Sequence, residues 1–201
     1  GLRKVFYSDN GSTAVEVAAK MAIQYWQQCP TPQPSKTQFI HLGMAYHGDT
    51  VGGVSLSGVE PFRRPFSSLL FPSHDIEPPY CYRCPLRLHF PECRFACLDP
   101  LEKLLQAKHQ EIAGLILEPM VQAVAGIIPS PAGYLKRVRE LCTRYHILFI
   151  ADEVATGFGR TGRMFACEHE GISPDIMAVA KGLTGGYLPL AATLTTTAIY
   201  E

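Results

Sequence analysis

Two short apolar runs constrain the fold of this chain most strongly. Residues 147–151 and 176–180 contain no charged or hydrogen-bonding side chain. Asp152 follows the first run directly, and Lys181 follows the second. A run that is apolar on both faces is typical of a central strand in a parallel sheet, because helices cover both faces of such a sheet. The two runs therefore predict buried strands whose carboxyl ends present a carboxylate and an amine.

Other short apolar runs alternate along the chain with longer amphipathic stretches, which is the pattern of an α/β fold. Apolar residues recur at helical spacing in two of these stretches, residues 13–28 and 134–145. Further strands are predicted at residues 5–7, 39–42, 114–117 and 190–195. The sequence thus predicts one domain, a mostly parallel sheet flanked by helices.

Residues 61–100 interrupt this alternation. They are rich in Pro, Arg, Phe and Cys without clear periodicity, so we predict a long excursion on the sheet rather than a part of it. The excursion contains four cysteines, Cys81, Cys84, Cys93 and Cys97. Their spacing suits a small tetrahedral zinc site, although the uneven second pair weakens that interpretation. Reduced surface thiols or an occasional disulfide are the alternative, and both interpretations remain open at this point.

The overall composition excludes several classes of protein. Lys and Arg number 18, as do Asp and Glu, so the net charge is zero and does not favour binding to nucleic acid. Hydrophobic residues make up 47%, which is enough for a core, and no run approaches the roughly 18 apolar residues of a membrane span. Seven cysteines, an odd number, favour a reducing cytoplasm over a paired extracellular framework. Because the chain begins at Gly1 rather than Met, we expect it to be a piece of a longer protein.

The segment between the first predicted strand and the first predicted helix is a candidate anion site. It contains Gly11 and Ser12, and Thr13 stands three residues before Glu16, which is the spacing of a capping box. The free N–H groups and positive dipole of a helix start attract phosphate. An ordinary capped helix is the alternative, since such caps are common.

The two charged strand ends are the candidate catalytic groups. Asp152 and Lys181 are expected at the carboxyl edge of the sheet, where open α/β sheets bind ligands, although a structural ion pair is an alternative. Tyr46 lies in a glycine-flanked loop after a strand and offers a ring that can stack on a flat ligand. An amine, a carboxylate, an anion-binding helix start and a ring platform are together the groups that pyridoxal phosphate requires.

Five segments carry a resemblance to a known family. Residues 46–48, 118–119, 152–162, 173–176 and 180–186 together resemble the class III pyridoxal-phosphate aminotransferases. The resemblance covers the chain outside the cysteine-rich excursion. It implies the large domain of the fold type I transferases, incomplete here, with residues 1–201 as its central part. It also implies that the N-terminal and C-terminal parts of the enzyme lie outside the chain.

The resemblance assigns roles to individual residues. It implies that Lys181 bonds to the cofactor and then moves protons, and that Asp152 holds the ring nitrogen. Gly11 and Ser12 match the phosphate-binding pair, and Tyr46 matches the residue that stacks on the ring and borders the substrate pocket. Glu118 and Val154 are expected near the ring, and His47 is expected to line the pocket or donate a hydrogen bond. No metal is expected in this site.

Three shorter segments indicate a subgroup within this family. Residues 19–27, 165–169 and 193–196 are similar to members that convert 8-amino-7-oxononanoate to 7,8-diaminononanoate in biotin biosynthesis. These imply a homodimer and S-adenosylmethionine as amino donor, with lysine as the alternative donor. Ala155 stands where many other members have Gln, which argues against an ornithine or 4-aminobutyrate enzyme. Another class III enzyme, acting on ω-amino acids, and a non-catalytic module on a degenerate transferase fold are the alternatives.

Overall fold

Nine strands form the β structure of the computed structural model, which describes all 201 residues. They are Lys4–Ser8 (β1), Gln38–Leu42 (β2), His74–Ile76 (β3), Ile112–Leu117 (β4), Val121–Gln122 (β5), Ile128–Pro129 (β6), Leu148–Asp152 (β7), Ile176–Val179 (β8) and Ala191–Thr195 (β9). Seven of them form one sheet in the order β1-β9-β8-β7-β4-β2-β3, while β5 and β6 form a separate hairpin. The five strands from β8 to β3 are parallel, and β9 and β1 are antiparallel to their neighbours.

Six α-helices accompany the strands. They are Gly11–Gln28 (α1), Val51–Ser55 (α2), Glu60–Arg63 (α3), Asp99–Lys108 (α4), Tyr134–Arg144 (α5) and Thr197–Tyr200 (α6). No helix is both long enough and apolar enough to cross a lipid bilayer.

The core has two halves, one on each face of the sheet, because successive side chains of a strand point to opposite faces. In β4, Leu115 and Leu117 pack with α4 and α5, whereas Ile116 packs with α1 on the other face. The central strands β4, β7 and β8 are buried along their whole length. The predicted mostly parallel sheet flanked by helices is confirmed. The runs are apolar on both faces because each face of the strands packs against one half of the core.

The cysteine-rich excursion departs from its prediction at one point. His74–Ile76 pairs in parallel with β2 and forms the edge strand of the sheet, so the interpretation of residues 61–100 as lying outside the sheet is wrong there. A strand of three residues is too short to show an alternating pattern. The remainder of the excursion before α4 consists of short helical turns and loops.

The four cysteines of the excursion come together around one small cavity. Cys81, Cys84, Cys93 and Cys97 all line a space of about 20 Å³, and each is a free thiol. Burial raises the pKa of Cys97 to about 11, so this thiol stays protonated at neutral pH. No set of three or more His, Cys, Asp or Glu side chains in the structure is placed to hold a metal ion. The structure has no disulfide among these four thiols, and zinc binding by them stays an untested prediction.

The start of α1 also differs from its prediction. The helix begins at Gly11, and its N-cap is Asn10, whose Oδ1 accepts a hydrogen bond from the Thr13 N–H at 3.0 Å. The Thr13 hydroxyl accepts in return from the Asn10 N–H at 3.2 Å. Glu16 is not the capping partner of Thr13, because its carboxylate instead accepts from the Gly52 N–H at 2.7 Å. Asn is as good an N-cap as any residue type, which explains the earlier start.

Candidate active site

A cavity of about 370 Å³ opens at the carboxyl edge of the parallel strands. All five of the predicted site residues line it: Gly11, Ser12, Tyr46, Asp152 and Lys181. Strand pairing explains the meeting of the two charged groups, since β7 and β8 are parallel neighbours with Asp152 beside Ala178. Lys181 comes two residues after the end of β8 and begins a short helical turn, Lys181–Leu183. The cavity lies where open α/β sheets bind their ligands.

The carboxylate of Asp152 does not pair with Lys181. Its Oδ2 lies 2.7 Å from Nδ1 of His47, and its Oδ1 accepts a hydrogen bond from the Val154 N–H at 3.0 Å. The Lys181 side chain is exposed and takes part in no hydrogen bond or ion pair of the structure. The alternative of a structural ion pair between the two strand ends therefore does not describe this edge. An amine without a partner and a buried carboxylate face the same cavity.

The start of α1 supplies free donors to this cavity. The N–H group of Thr13 is satisfied by the side chain of Asn10. The N–H groups of Gly11 and Ser12, in the first turn of the helix, have no acceptor in the chain. A side chain at position 11 would clash, since a Cβ there would lie 2.8 Å from Cγ1 of Val154. Gly11 thus allows the backbone to lie against the loop that follows β7. An anion placed here would meet two N–H groups and the positive end of the helix dipole.

A neighbouring loop holds the ring of Tyr46 at the cavity wall. The Tyr46 N–H donates to Oε1 of Glu118 at 3.1 Å, and its hydroxyl donates to Oδ2 of Asp49 at 2.7 Å. Its ring lies edge-on to Phe62 with centroids 6.0 Å apart. Burial, followed by the hydrogen bond to Asp49, raises the pKa of Tyr46 to about 12, so the phenol remains protonated. Tyr46 is therefore held by its backbone N–H and its hydroxyl, and its ring also packs against Phe62.

Glu118 joins two walls of the cavity. Besides the Tyr46 N–H, its carboxylate accepts from the Ala123 N–H at 2.9 Å. Burial raises the pKa of this carboxyl group above its ordinary value. Glu118 and Val154 both line the cavity, as expected. The sequence offered no signal for Asp49 as the partner of Tyr46, or for the loop residue Val124, which also lines the cavity.

The conformation of the loop after β2 depends on one glycine. Gly48 has a φ of +108°, which side chains rarely tolerate, and a Cβ at this position would run into the side chain of Ser12. The next residue, Asp49, donates its N–H to Oγ of Ser12 at 3.2 Å. The loop that carries Tyr46 is thereby held directly against the start of α1.

Comparison with known proteins identifies the family. The model of the aminotransferase class-III family matches residues 1–201. This chain belongs to the class-III aminotransferases. Among curated proteins it is 56% identical over 202 residues to the adenosylmethionine-8-amino-7-oxononanoate aminotransferase of Geobacter sulfurreducens, a match that covers 100% of this chain and 44% of that protein. The chain therefore spans less than half the length of this relative.

Solved transaminase structures share the fold. An amine transaminase from an uncultivated Pseudomonas species, in its PLP-bound form, superposes with a TM-score of 0.93 at 43% identity, covering 99% of this chain and 45% of that one. The adenosylmethionine-8-amino-7-oxononanoate aminotransferase from Methanocaldococcus jannaschii superposes with a TM-score of 0.86 at 44% identity, covering 99% and 43%. The predicted family and the predicted transferase fold are thus confirmed.

The cavity of this class-III aminotransferase chain fits pyridoxal phosphate, the cofactor of the family. A phosphate needs donors, and the N–H groups of Gly11 and Ser12 have no acceptor of their own. An aldehyde needs an amine, and that of Lys181 has no partner. A ring nitrogen needs a carboxylate, which Asp152 presents at the cavity. The volume of about 370 Å³ lies within the range of roughly 300–1,000 Å³ that is usual for ligand pockets.

Proposed function

We propose that this chain is the cofactor-binding part of an aminotransferase that converts 8-amino-7-oxononanoate to 7,8-diaminononanoate in biotin biosynthesis, with pyridoxal phosphate as cofactor. One observation carries the proposal for the chemistry. Asp152 ends β7 and Lys181 follows the end of the adjacent strand β8, and both face one cavity, into which the free N–H groups of Gly11 and Ser12 also open. The relatives from Geobacter sulfurreducens and Methanocaldococcus jannaschii, both adenosylmethionine-8-amino-7-oxononanoate aminotransferases, support the substrate.

Each residue has a separate task in this proposal. Bound pyridoxal phosphate supplies an aldehyde that bonds to amines and a ring that withdraws electrons from the carbon that loses its proton. The Lys181 amine holds the aldehyde, and once released it moves a proton at the substrate carbon as a general base and acid. Asp152 accepts the hydrogen bond of the ring nitrogen and favours its protonated form. Gly11 and Ser12 bind the phosphate, and Tyr46 lies against the ring and borders the substrate.

The proposal extends to the organisation of the whole protein. We place residues 1–201 in the central part of the large domain, with further segments before and after them that complete the substrate pocket. The relatives support a longer protein, because the matched region is only 43–45% of their length. A homodimer, the cytoplasm, and S-adenosylmethionine as amino donor are the corresponding proposals for assembly, location and co-substrate.

A second candidate function is the transamination of simple amines or ω-amino acids. The amine transaminase from the uncultivated Pseudomonas species supports it, because this chain superposes on that structure with a TM-score of 0.93. The two candidates share the cofactor site and differ in the substrate. Ala155 lines the cavity in this chain and does not by itself separate them.

The test of the proposed function is an assay of the purified full-length protein loaded with pyridoxal phosphate. 8-Amino-7-oxononanoate is offered as acceptor with S-adenosylmethionine or lysine as donor, and in parallel pyruvate is offered with a primary alkyl amine. We expect 7,8-diaminononanoate to form with S-adenosylmethionine, and a far lower kcat/KM for the amine and pyruvate. A preference for the amine and pyruvate would support the second candidate instead. Absence of any transamination would contradict both.

A further inference from the structure

The contact between His47 and Asp152 joins two distant parts of the chain at the cavity wall, which both residues line. Nδ1 of His47 lies 2.7 Å from Oδ2 of Asp152, and the two side chains are 0% and 5% exposed. The two residues are 105 positions apart in sequence. The other oxygen of Asp152 is held within its own loop by the Val154 N–H at 3.0 Å. Both oxygens are therefore held, but only one of them by a side chain.

His47 is itself fixed in place by the adjoining helix. Its backbone N–H donates to Oγ of Ser57 at 2.9 Å, and the Ser57 hydroxyl donates to the carbonyl of Gly53 in α2 at 2.8 Å. The imidazole ring is buried and makes no other hydrogen bond, since Nε2 has no partner. We assign the ring proton to Nδ1, because a carboxylate accepts hydrogen bonds and Nδ1 must then donate.

We propose that His47 is a positioning residue, which holds Oδ2 of Asp152 through its Nδ1–H and so fixes the plane in which this carboxylate meets the ring nitrogen of the cofactor. The proposal rests on the proposed function, in which Asp152 binds that nitrogen. A carboxylate that lost one of its two anchors would rotate about its terminal torsion, and its buried oxygen would lack a donor. Groups that orient the residue in contact with a ligand preorganise the site for binding.

A purely structural role would have a different consequence. If His47 only filled space in the cavity wall, its replacement would disturb the whole site and weaken every ligand to a similar extent. If His47 acts through Asp152, the loss concerns the ring nitrogen alone. The phosphate contacts of Gly11 and Ser12 and the amine of Lys181 lie elsewhere on the cavity wall and would be unaffected.

Two amide substitutions separate these roles. In His47→Asn the side-chain nitrogen takes a place close to that of Nδ1, whereas in His47→Gln it reaches toward the position of Nε2, which has no partner in the structure. The two variants therefore carry the same functional group and differ in whether it faces Asp152. The measurement is the dissociation constant of the full-length apoprotein for pyridoxal phosphate. The second ligand is the 1-deaza analogue, in which a C–H group replaces the ring nitrogen.

We expect His47→Gln to bind pyridoxal phosphate about tenfold more weakly, which is about 1.4 kcal/mol, and the deaza analogue less than about twofold more weakly. His47→Asn should bind both ligands nearly as well as the wild type. In an Asp152→Asn background, His47→Gln should cause no further selective loss. If His47→Gln fails to fold, His47→Leu, which also lacks the donor, takes its place in the same comparison.

Equal weakening of both ligands, or an Asn variant as weak as the Gln variant, would overturn the positioning role while leaving the proposed function intact. A wild-type protein that does not bind pyridoxal phosphate would overturn the proposed function, and the role of His47 with it. The two failures are distinguishable because the first appears only in the variants and the second already in the wild type.

Discussion

Two buried charged side chains lie at opposite ends of the parallel strands and are held in different ways. Lys36 precedes β2 at the amino end, and Asp152 ends β7 at the carboxyl end; they are 2% and 4% exposed. The ammonium of Lys36 donates its hydrogen bonds only to backbone carbonyls, whereas the carboxylate of Asp152 faces a cavity of about 370 Å³. A buried charge whose partners are all backbone groups stabilises the fold. A buried charge that keeps a face on a cavity is available to a ligand.

The environment of Lys36 is complete within the chain. Its Nζ donates to the carbonyls of His109, Ile112 and His146, at 2.7, 3.3 and 2.8 Å, and lies 4.5 Å from the centre of the Trp26 ring. Burial lowers the pKa of Lys36 to about 8, so at pH 7 the ammonium still provides three donors for these three acceptors. No position is left for a ligand.

The largest effect is expected at the carboxyl end of the parallel strands, which we call the open end because it faces the cavity. Lys181→Ala should lower turnover of the full-length enzyme by at least about a thousandfold, because no other amine can hold the cofactor and move the proton. Its melting temperature as apoprotein should be unchanged, since Lys181 is exposed and has no partner. Steady-state assays and thermal unfolding of the same preparation test both parts. Turnover near the wild-type rate would remove Lys181 from the reaction.

The next largest effect is expected at Asp152. In Asp152→Asn the shape is nearly retained but the negative charge is lost, so the ring nitrogen is no longer held protonated. We expect turnover to fall about a hundredfold, which is about 2.7 kcal/mol at 1.36 kcal/mol per tenfold, while the variant still folds. The measurements are kcat and the melting temperature. A lower melting temperature with near-normal kcat would show that Asp152 only holds the sheet edge.

At the amino end of the strands, which we call the closed end because Lys36 leaves no position for a ligand, Lys36→Met should change only the stability of the fold. The Met side chain fills similar space but leaves three carbonyls without a donor, which should cost about 2 kcal/mol of unfolding free energy. The kcat of the folded fraction should equal that of the wild type. Denaturant unfolding and active-site-normalised assays check this prediction. A selective loss of kcat would break the contrast between the two ends of the sheet.

The smallest effect is expected at Glu153, which is a matched control for Asp152. The two carboxylates are adjacent in sequence, but Glu153 points away from the cavity and accepts hydrogen bonds from the N–H groups of Ala166 and Cys167 and from the Thr156 hydroxyl, at 3.0, 2.9 and 2.6 Å. Glu153→Gln should destabilise the fold by about 1 kcal/mol, because an amide can accept on only one side. Its kcat should stay within about twofold of the wild type, and a hundredfold drop would show that the two carboxylates do not differ in role.

The sequence predicts the open end of the sheet better than the closed end. Asp152 and Lys181 directly follow apolar runs, so their place at the carboxyl edge can be inferred from the pattern. Lys36 stands between Ser and Thr in a polar connection, and nothing nearby indicates burial. Its three acceptors come from distant positions that only the folded chain brings together. The contact of His47 with Asp152 is hidden for the same reason.

Short elements and competing caps account for the remaining differences from prediction. The edge strand His74–Ile76 has three residues, too few for a period to appear. At the start of α1, Asn10 and Thr13 are both good N-caps, and the choice between them depends on how the loop meets Gly48 and Val154. Such choices are made by tertiary contacts, which a local pattern does not contain.

The most direct test of the central claim is to locate the cofactor on the chain. The full-length protein is incubated with pyridoxal phosphate, reduced with borohydride, digested and mapped by mass spectrometry. We expect one modified peptide, carrying the label on Lys181, and no specific label in Lys181→Ala. Stoichiometric label on another lysine such as Lys36, or no label at all, would contradict the assignment of the cavity at the carboxyl edge as the cofactor site.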